Sequence, residues 1–164
     1  MSVASEIERF TDELPANVRL VAVSKFHPVE KLMEAYSAGQ RIFGESRVQE
    51  LVQKAQEMPA DVQWHFIGHL QTNKVRALLP HVSLIHSVDS ERLLDCIDKE
   101  AERIGRTVDV LLQIHVAQEE AKFGFTLQEI TQLADSGKLT AMSHVRVVGV
   151  MAMATNTDDD AEIR

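Results

Sequence analysis

Lys25 is the residue of this chain best placed for covalent chemistry. It follows the apolar run Leu20-Val21-Ala22-Val23 and Ser24, so its stem leaves a strand that belongs in a core. Desolvation at such an exit disfavours the ammonium and lowers its pKa. A neutral amine at a strand end is what Schiff-base formation with an aldehyde requires. The plainer alternative is a lysine whose stem snorkels and whose charge stays in water. Three histidines, His65, His86 and His115, fall on successive strand segments. A zinc site can be built from three such nitrogens. The spacing from His65 to His69 imitates the ends of the zinc-protease motif, but no glutamate lies between them and the segment reads as strand then loop. Core or pocket histidines, and no bound metal, are therefore the expectation. Ser46 has two readings, as a helix N-cap or as part of a helix start whose amides hold an oxyanion. Cys96 lies at the edge of an apolar helix stripe, away from any helix start, and reads as packing.

Positioning these residues falls to an alternation of short apolar runs and longer amphipathic segments. Strands are predicted at 20–23, 41–44, 63–67, 82–88, 108–116 and 145–150, each a brief β-branched or apolar run. Between them lie helical patterns. One starts at Pro28 and closes at Gly39, where a residue without Cβ suits the turn. Another opens with Ser46-Arg47-Val48-Gln49, which matches a capping box. A third runs over 72–79 and stops at Pro80, a fourth is capped by Ser90 and ends at Gly105, and a fifth opens with the box Thr126 to Glu129 and ends near Gly137. A helix over 2–14 precedes the repeats, and Asp158-Asp159-Asp160 reads as a further first turn, where acids suit the macrodipole.

Strands that alternate with helices imply parallel pairing through right-handed crossovers. An open doubly wound sheet and a (β/α)8 barrel both satisfy that pattern. No dinucleotide glycine fingerprint follows the first strand. In either architecture the functional end is the carboxyl side of the strands. Lys25, Glu45, Ser46, Ser87, Asp89, Lys122 and Met151 belong to that end.

The chain has 164 residues, 45% hydrophobic and 26% charged, with 17 basic and 25 acidic side chains for a net charge of −8. Those proportions fit one folded domain. The acidic balance argues against a nucleic-acid surface, which needs a basic stripe. No apolar stretch approaches the roughly 18 residues of a membrane span, and no signal peptide is visible. With one cysteine, a reducing cytoplasmic location is expected.

Several segments together resemble the pyridoxal phosphate homeostasis family, short relatives of the alanine racemase N-terminal barrel. They are Val21-Ala22-Val23-Ser24-Lys25, Phe43-Gly44-Glu45-Ser46-Arg47-Val48-Gln49-Glu50, and Trp64-His65-Phe66-Ile67-Gly68-His69-Leu70-Gln71-Thr72-Asn73-Lys74. Ile85-His86-Ser87-Val88-Asp89, Lys122-Phe123-Gly124-Phe125 and Gly149-Val150-Met151-Ala152-Met153 follow in the family's order. The resemblance implies an α/β chain of the (β/α)8 TIM-barrel type with an extra N-terminal helix, residues 1–164 forming one domain with about six βα units, incomplete at its C-terminus. It implies pyridoxal 5′-phosphate (PLP) held as a Schiff base on Lys25, with Ser46, His65, Ile67, Ser87 and Met151 about the cofactor and Lys122 as an accessory amine.

It further implies a cytoplasmic carrier or regulator of the PLP pool without established turnover, serving PLP-dependent apoenzymes. A racemase or Schiff-base aldolase is the alternative. Two departures stand out. Ser46 replaces the family's asparagine, and the family's phosphate-binding serine–glycine segment has no counterpart before Arg164. A full-length chain is expected to be a monomer, whereas two open sheet edges in a shortened one invite pairing into a dimer.

Overall fold

Six apolar runs become six parallel strands hydrogen-bonded in sequence order. The computed structural model describes residues 2–116 and 123–153. The strands are β1 (Ala22–Val23), β2 (Ile42–Glu45), β3 (Gln63–Phe66), β4 (Val82–Val88), β5 (Val108–Ile114) and β6 (Val145–Ala152). The order β1-β2-β3-β4-β5-β6 has no reversal. A doubly wound sheet switches direction part-way, so the strand order selects the barrel-type wall. The helices are α1 (Val3–Glu13), α2 (Val29–Ser37), α3 (Val48–Glu57), α4 (Thr72–Leu78), α5 (Glu91–Arg103), α6 (Leu127–Asp135) and α7 (Lys138–Ala141). None is long and apolar enough to cross a membrane.

Register divides the wall into two faces. Gly44, His65, Leu84, Asp109 and Arg146 are partners across β2 to β6 and share the inner face. The alternate residues Phe43, Trp64, Phe66, Ile85, Val110 and Leu112 are buried against the helices with Leu51, Val75, Leu94, Ile97 and Leu133. That helix-side layer is the hydrophobic core. The inner face carries polar groups such as His65, Asp109 and Arg146.

Most helix starts follow the sequence. Ser2 caps α1 and Ser90 caps α5. Thr126 and Glu129 form the reciprocal capping box of α6. Gly39 takes a φ of +99° at the end of α2, a conformation that disfavours side chains. The box expected at Ser46 does not form: α3 starts at Val48 behind Arg47, with no side-chain cap. The chain bends at Ser46, and Arg47, with an extended backbone, takes the position before the helix, so Ser46 stands one residue too early to cap it. β1 is shorter than predicted, and β6 runs on to Ala152. The helix expected to end near Gly137 does so as α6, and a separate short helix, α7, follows the left-handed Gly137. Lys122 and the Asp158–Asp160 turn lie outside the described residues.

The carboxyl ends of β1, β2 and β3 are drawn close together. Ser24 N–H donates to Gly44 O at 3.0 Å and Ile67 N–H to Glu45 O at 2.9 Å, extending the ladder beyond the strands. The loop after β3 then passes against Ser46, where a Cβ on Gly68 would stand 2.2 Å from the Ser46 carbonyl oxygen. Backbone, not a flexible side chain, blocks that position. Gly68→Ala is expected to destabilise the protein by about 2–4 kcal/mol, read as a lowered urea midpoint at unchanged slope.

Candidate functional site

Lys25 follows β1 at the carboxyl edge of the wall, two residues beyond Val23, which is in register with Gly44 of the inner face. Its side chain is exposed. The desolvation expected from sequence is therefore not met. Among the described residues β1 has a strand neighbour on the β2 side alone, and Val23 beside Lys25 is also exposed.

Behind Lys25, on the helix side, lies a buried ionic cluster. Lys54 of α3 is 5% exposed and Glu45 of β2 is fully buried. Lys54 Nζ donates to Glu45 Oε1 at 2.7 Å, Glu50 Oε1 at 2.7 Å and the Ser24 carbonyl at 2.8 Å. Ser24 Oγ donates to Glu45 Oε1 at 2.6 Å, and the Phe26 N–H to Glu50 Oε1 at 2.7 Å. Burial pushes the Glu50 carboxyl up, but Lys54, the Phe26 amide and Arg47 outweigh it and hold the group below the usual carboxylate range. Glu45 was legible as a strand-end acid, whereas Glu50 and Lys54 were missed. A signal existed: Leu51, Lys54, Ala55 and Met58 follow helical spacing, which places a lysine on the buried stripe of α3.

On the inner face His65 and His86 meet, with His65 Nδ1 and His86 Nε2 3.0 Å apart. One proton can lie between them, so one ring donates and the other accepts. Burial, then the neighbouring His86 and the cation of Arg19, push His65 down to about 4, and burial lowers His86. Both rings are neutral at pH 7. Simple alternation would put Val88 on the face of His86. A register slip between Ile85 and Val88 instead turns Val88 to the core opposite Leu112. His115 lies past the end of β5, and among the described residues no group of three or more His, Cys, Asp or Glu converges as metal donors.

The remaining candidates lie near the carboxyl ends of their strands. Ile67 packs its Cδ1 3.2 Å from the place a Gly44 Cβ would occupy, which locates it on the inner face. Ser87, near the end of β4, is 2% exposed, and its Oγ has no hydrogen-bond partner. Met151 is half-buried opposite Gln113. Ser46 is half-buried just past β2. His69 Nδ1 lies 3.2 Å from Asp89, and its ring stacks on Phe123 at 4.1 Å. Cys96 is a half-buried helix residue whose thiol burial pushes up, in keeping with packing.

A family model described as alanine racemase, N-terminal domain, matches residues 2–164. A Schizosaccharomyces pombe relative named pyridoxal phosphate homeostasis protein is 41% identical over 141 residues, 85% of this chain and 59% of its own length. One of the same name from Vibrio alginolyticus is 32% identical over 173 residues, covering 96% and 73%. The chain belongs to the pyridoxal phosphate homeostasis protein family. PipY of Synechococcus elongatus, solved without and with PLP, superposes on this family member at TM-scores of 0.91 and 0.88, with 36% identity over 99% of this chain and 75% of PipY. Alanine racemase of E. faecalis, at 15% identity and a TM-score of 0.79, shares the fold. The chain spans about three fifths of the length of the first curated relatives it matches.

The buried histidine pair gives this homeostasis-family protein a pH dependence with a definite sign. His65 titrates near 4 when folded and near 6.5 when unfolded. Between those values the unfolded chain takes up a proton that the folded one refuses. Stability is therefore full above about pH 6.5 and declines as the pH falls toward 4. Urea unfolding is expected to show a loss of about 2 kcal/mol from pH 7.5 to pH 5, most of it absent in His65→Gln. An equal loss in that variant would place the titrating group elsewhere.

Proposed function

We propose that this protein takes part in intracellular PLP homeostasis by carrying PLP as a Schiff base on Lys25, and that it acts as a carrier without turnover. The observation that supports the reading most is a primary amine standing open at the carboxyl end of a barrel-type wall, beside a rigid backbone. Lys25 Nζ adds to the PLP aldehyde carbon and the aldehyde oxygen leaves as water, a reversible exchange. At an exposed position water would reverse the condensation, or an apoenzyme lysine would take the aldehyde carbon and release Lys25 as the free amine, which suits delivery to PLP-dependent apoenzymes in the cytoplasm.

The residues present fit the group. Ser87 Oγ is a buried hydroxyl with an unfilled hydrogen bond at the strand ends, and such a group commonly marks a polar ligand atom. Ile67 and Met151 offer apolar wall, and His65 a neutral ring held by His86. Ser46 contributes a short hydroxyl at the mouth, and Lys122 serves as the accessory amine. The names of the relatives and the PLP-bound form of PipY support PLP as the ligand. Residues 1–164 then act as one PLP-binding domain.

Incubation with PLP, borohydride reduction and peptide mapping test the assignment. The phosphopyridoxyl tag is expected on Lys25, and imine absorbance is expected to vanish in Lys25→Ala. A tag on another lysine, no tag, or an unchanged spectrum in that variant would overturn it.

A further inference from the structure

We infer that Lys54, Glu45 and Glu50 form a positioning device that clamps the backbone on both sides of Lys25 and leaves its amine free. This rests on the reading of Lys25 as the PLP-bearing residue. The cluster reaches the two residues that flank Lys25 and nothing else in that turn. On the near side, Lys54 Nζ holds the Ser24 carbonyl while Glu45 Oε1 takes the Ser24 hydroxyl. On the far side, Glu50 takes the Phe26 N–H. Lys54 joins the two acids, and its three donors are all used. The His27 N–H closes the turn onto the Ser24 carbonyl at 3.1 Å.

The backbone held this way is one the chain would not adopt unaided. Phe26 has a φ of +66°, the left-handed region. A bulky residue there is strained and persists only when its surroundings over-determine it. Glu50 supplies the restraint from below, and Arg47 lies over the Phe26 ring at 4.9 Å. Core packing alone gives no reason for this choice. An apolar side chain at position 54, with apolar partners, would fill the same space without desolvating three charges. An ammonium, by contrast, can grip a carbonyl and two carboxylates from different elements at once. Fixing Ser24 and Phe26 sets the direction in which the Lys25 stem leaves the wall. A preset direction reduces the conformational freedom lost when the amine meets an aldehyde.

Glu50 is the member to change. Its removal takes away the Phe26 acceptor while Lys54 remains paired with Glu45 and the Ser24 carbonyl. Glu50→Gln keeps an oxygen at the same reach and is the rescue variant. Two readouts are followed in the 164-residue protein: hydrogen exchange of the Phe26 amide, and the initial rate of borohydride-trapped PLP capture at Lys25 below saturation.

In Glu50→Ala, Phe26 exchange is expected to quicken at least about tenfold and capture to fall about five- to tenfold. Glu50→Gln is expected to restore both to within about twofold of the parent. Should Glu50→Ala not fold, Glu50→Asp, which retracts the carboxylate by one methylene, is expected to shift both readouts the same way by less. Parent-like capture in a folded variant whose Phe26 amide has lost protection would overturn the inference, as would lost capture in Glu50→Gln with that amide still protected. Absence of capture at Lys25 in the parent protein would instead defeat the carrier reading, and the inference with it.

Discussion

A single buried ammonium organises the carboxyl end of this wall. Lys54 lies among the helix-side residues and gives its three protons to three elements: the end of β1, β2 and its own helix. Taking such a charge out of water is costly unless every donor is satisfied and counter-charges stand close. Glu45 and Glu50 meet both conditions. Deleting one partner of a buried pair typically costs about 3–5 kcal/mol, because the other charge is left stranded. Turn, strand end and helix start are thereby locked to one another, which a layer of aliphatic contacts would not do with the same directionality.

The two faces of the wall divide the work. The helix side combines the apolar core with this ionic lock, and the inner side holds the neutral His65–His86 pair and, further along the wall, the Asp109–Arg146 ion pair. Neutrality of the two rings follows from burial, which raises the energy of an imidazolium more than that of imidazole. The Lys25 amine stands at the rim, and the hydrogen bonds that hold its backbone come from behind it. Gly68 allows the third strand's loop to lie directly on Ser46, which keeps the three strand ends in one tight group.

Much of this was legible in the residues. The six apolar runs, the Ser90 cap and the Thr126–Glu129 box each depend on near neighbours, and each formed. So did the parallel pairing, because alternation of strands and helices leaves few topologies; the choice of barrel over doubly wound sheet came from the family resemblance. What failed depends on distant partners. Ser46 has the right type for a cap, but the helix begins only at Val48 and Arg47 takes the cap position. Burial of Lys25 could not be judged from the apolar run before it, since exposure is set by what stands across the edge strand. The contact of His65 with His86 depends on register between β3 and β4, and a slip in β4 breaks the two-residue period that pattern reading relies on. Lys54 was hidden for another reason: a lysine on a core stripe reads as a surface residue until its partners are known.

The slip between β5 and β6 has its own bearing on how such a wall can change. Val110 faces Val147, whereas Leu111 already faces Gly149, so Val148 is the extra residue. Regular pairing would have set Val150 opposite Gln113. The insertion sets Met151 there instead. One surplus residue in a strand thus exchanges a branched aliphatic for a thioether at the rim, with no substitution at either position. Relatives that differ by one residue in the length of this strand can therefore present different linings from nearly identical sequences.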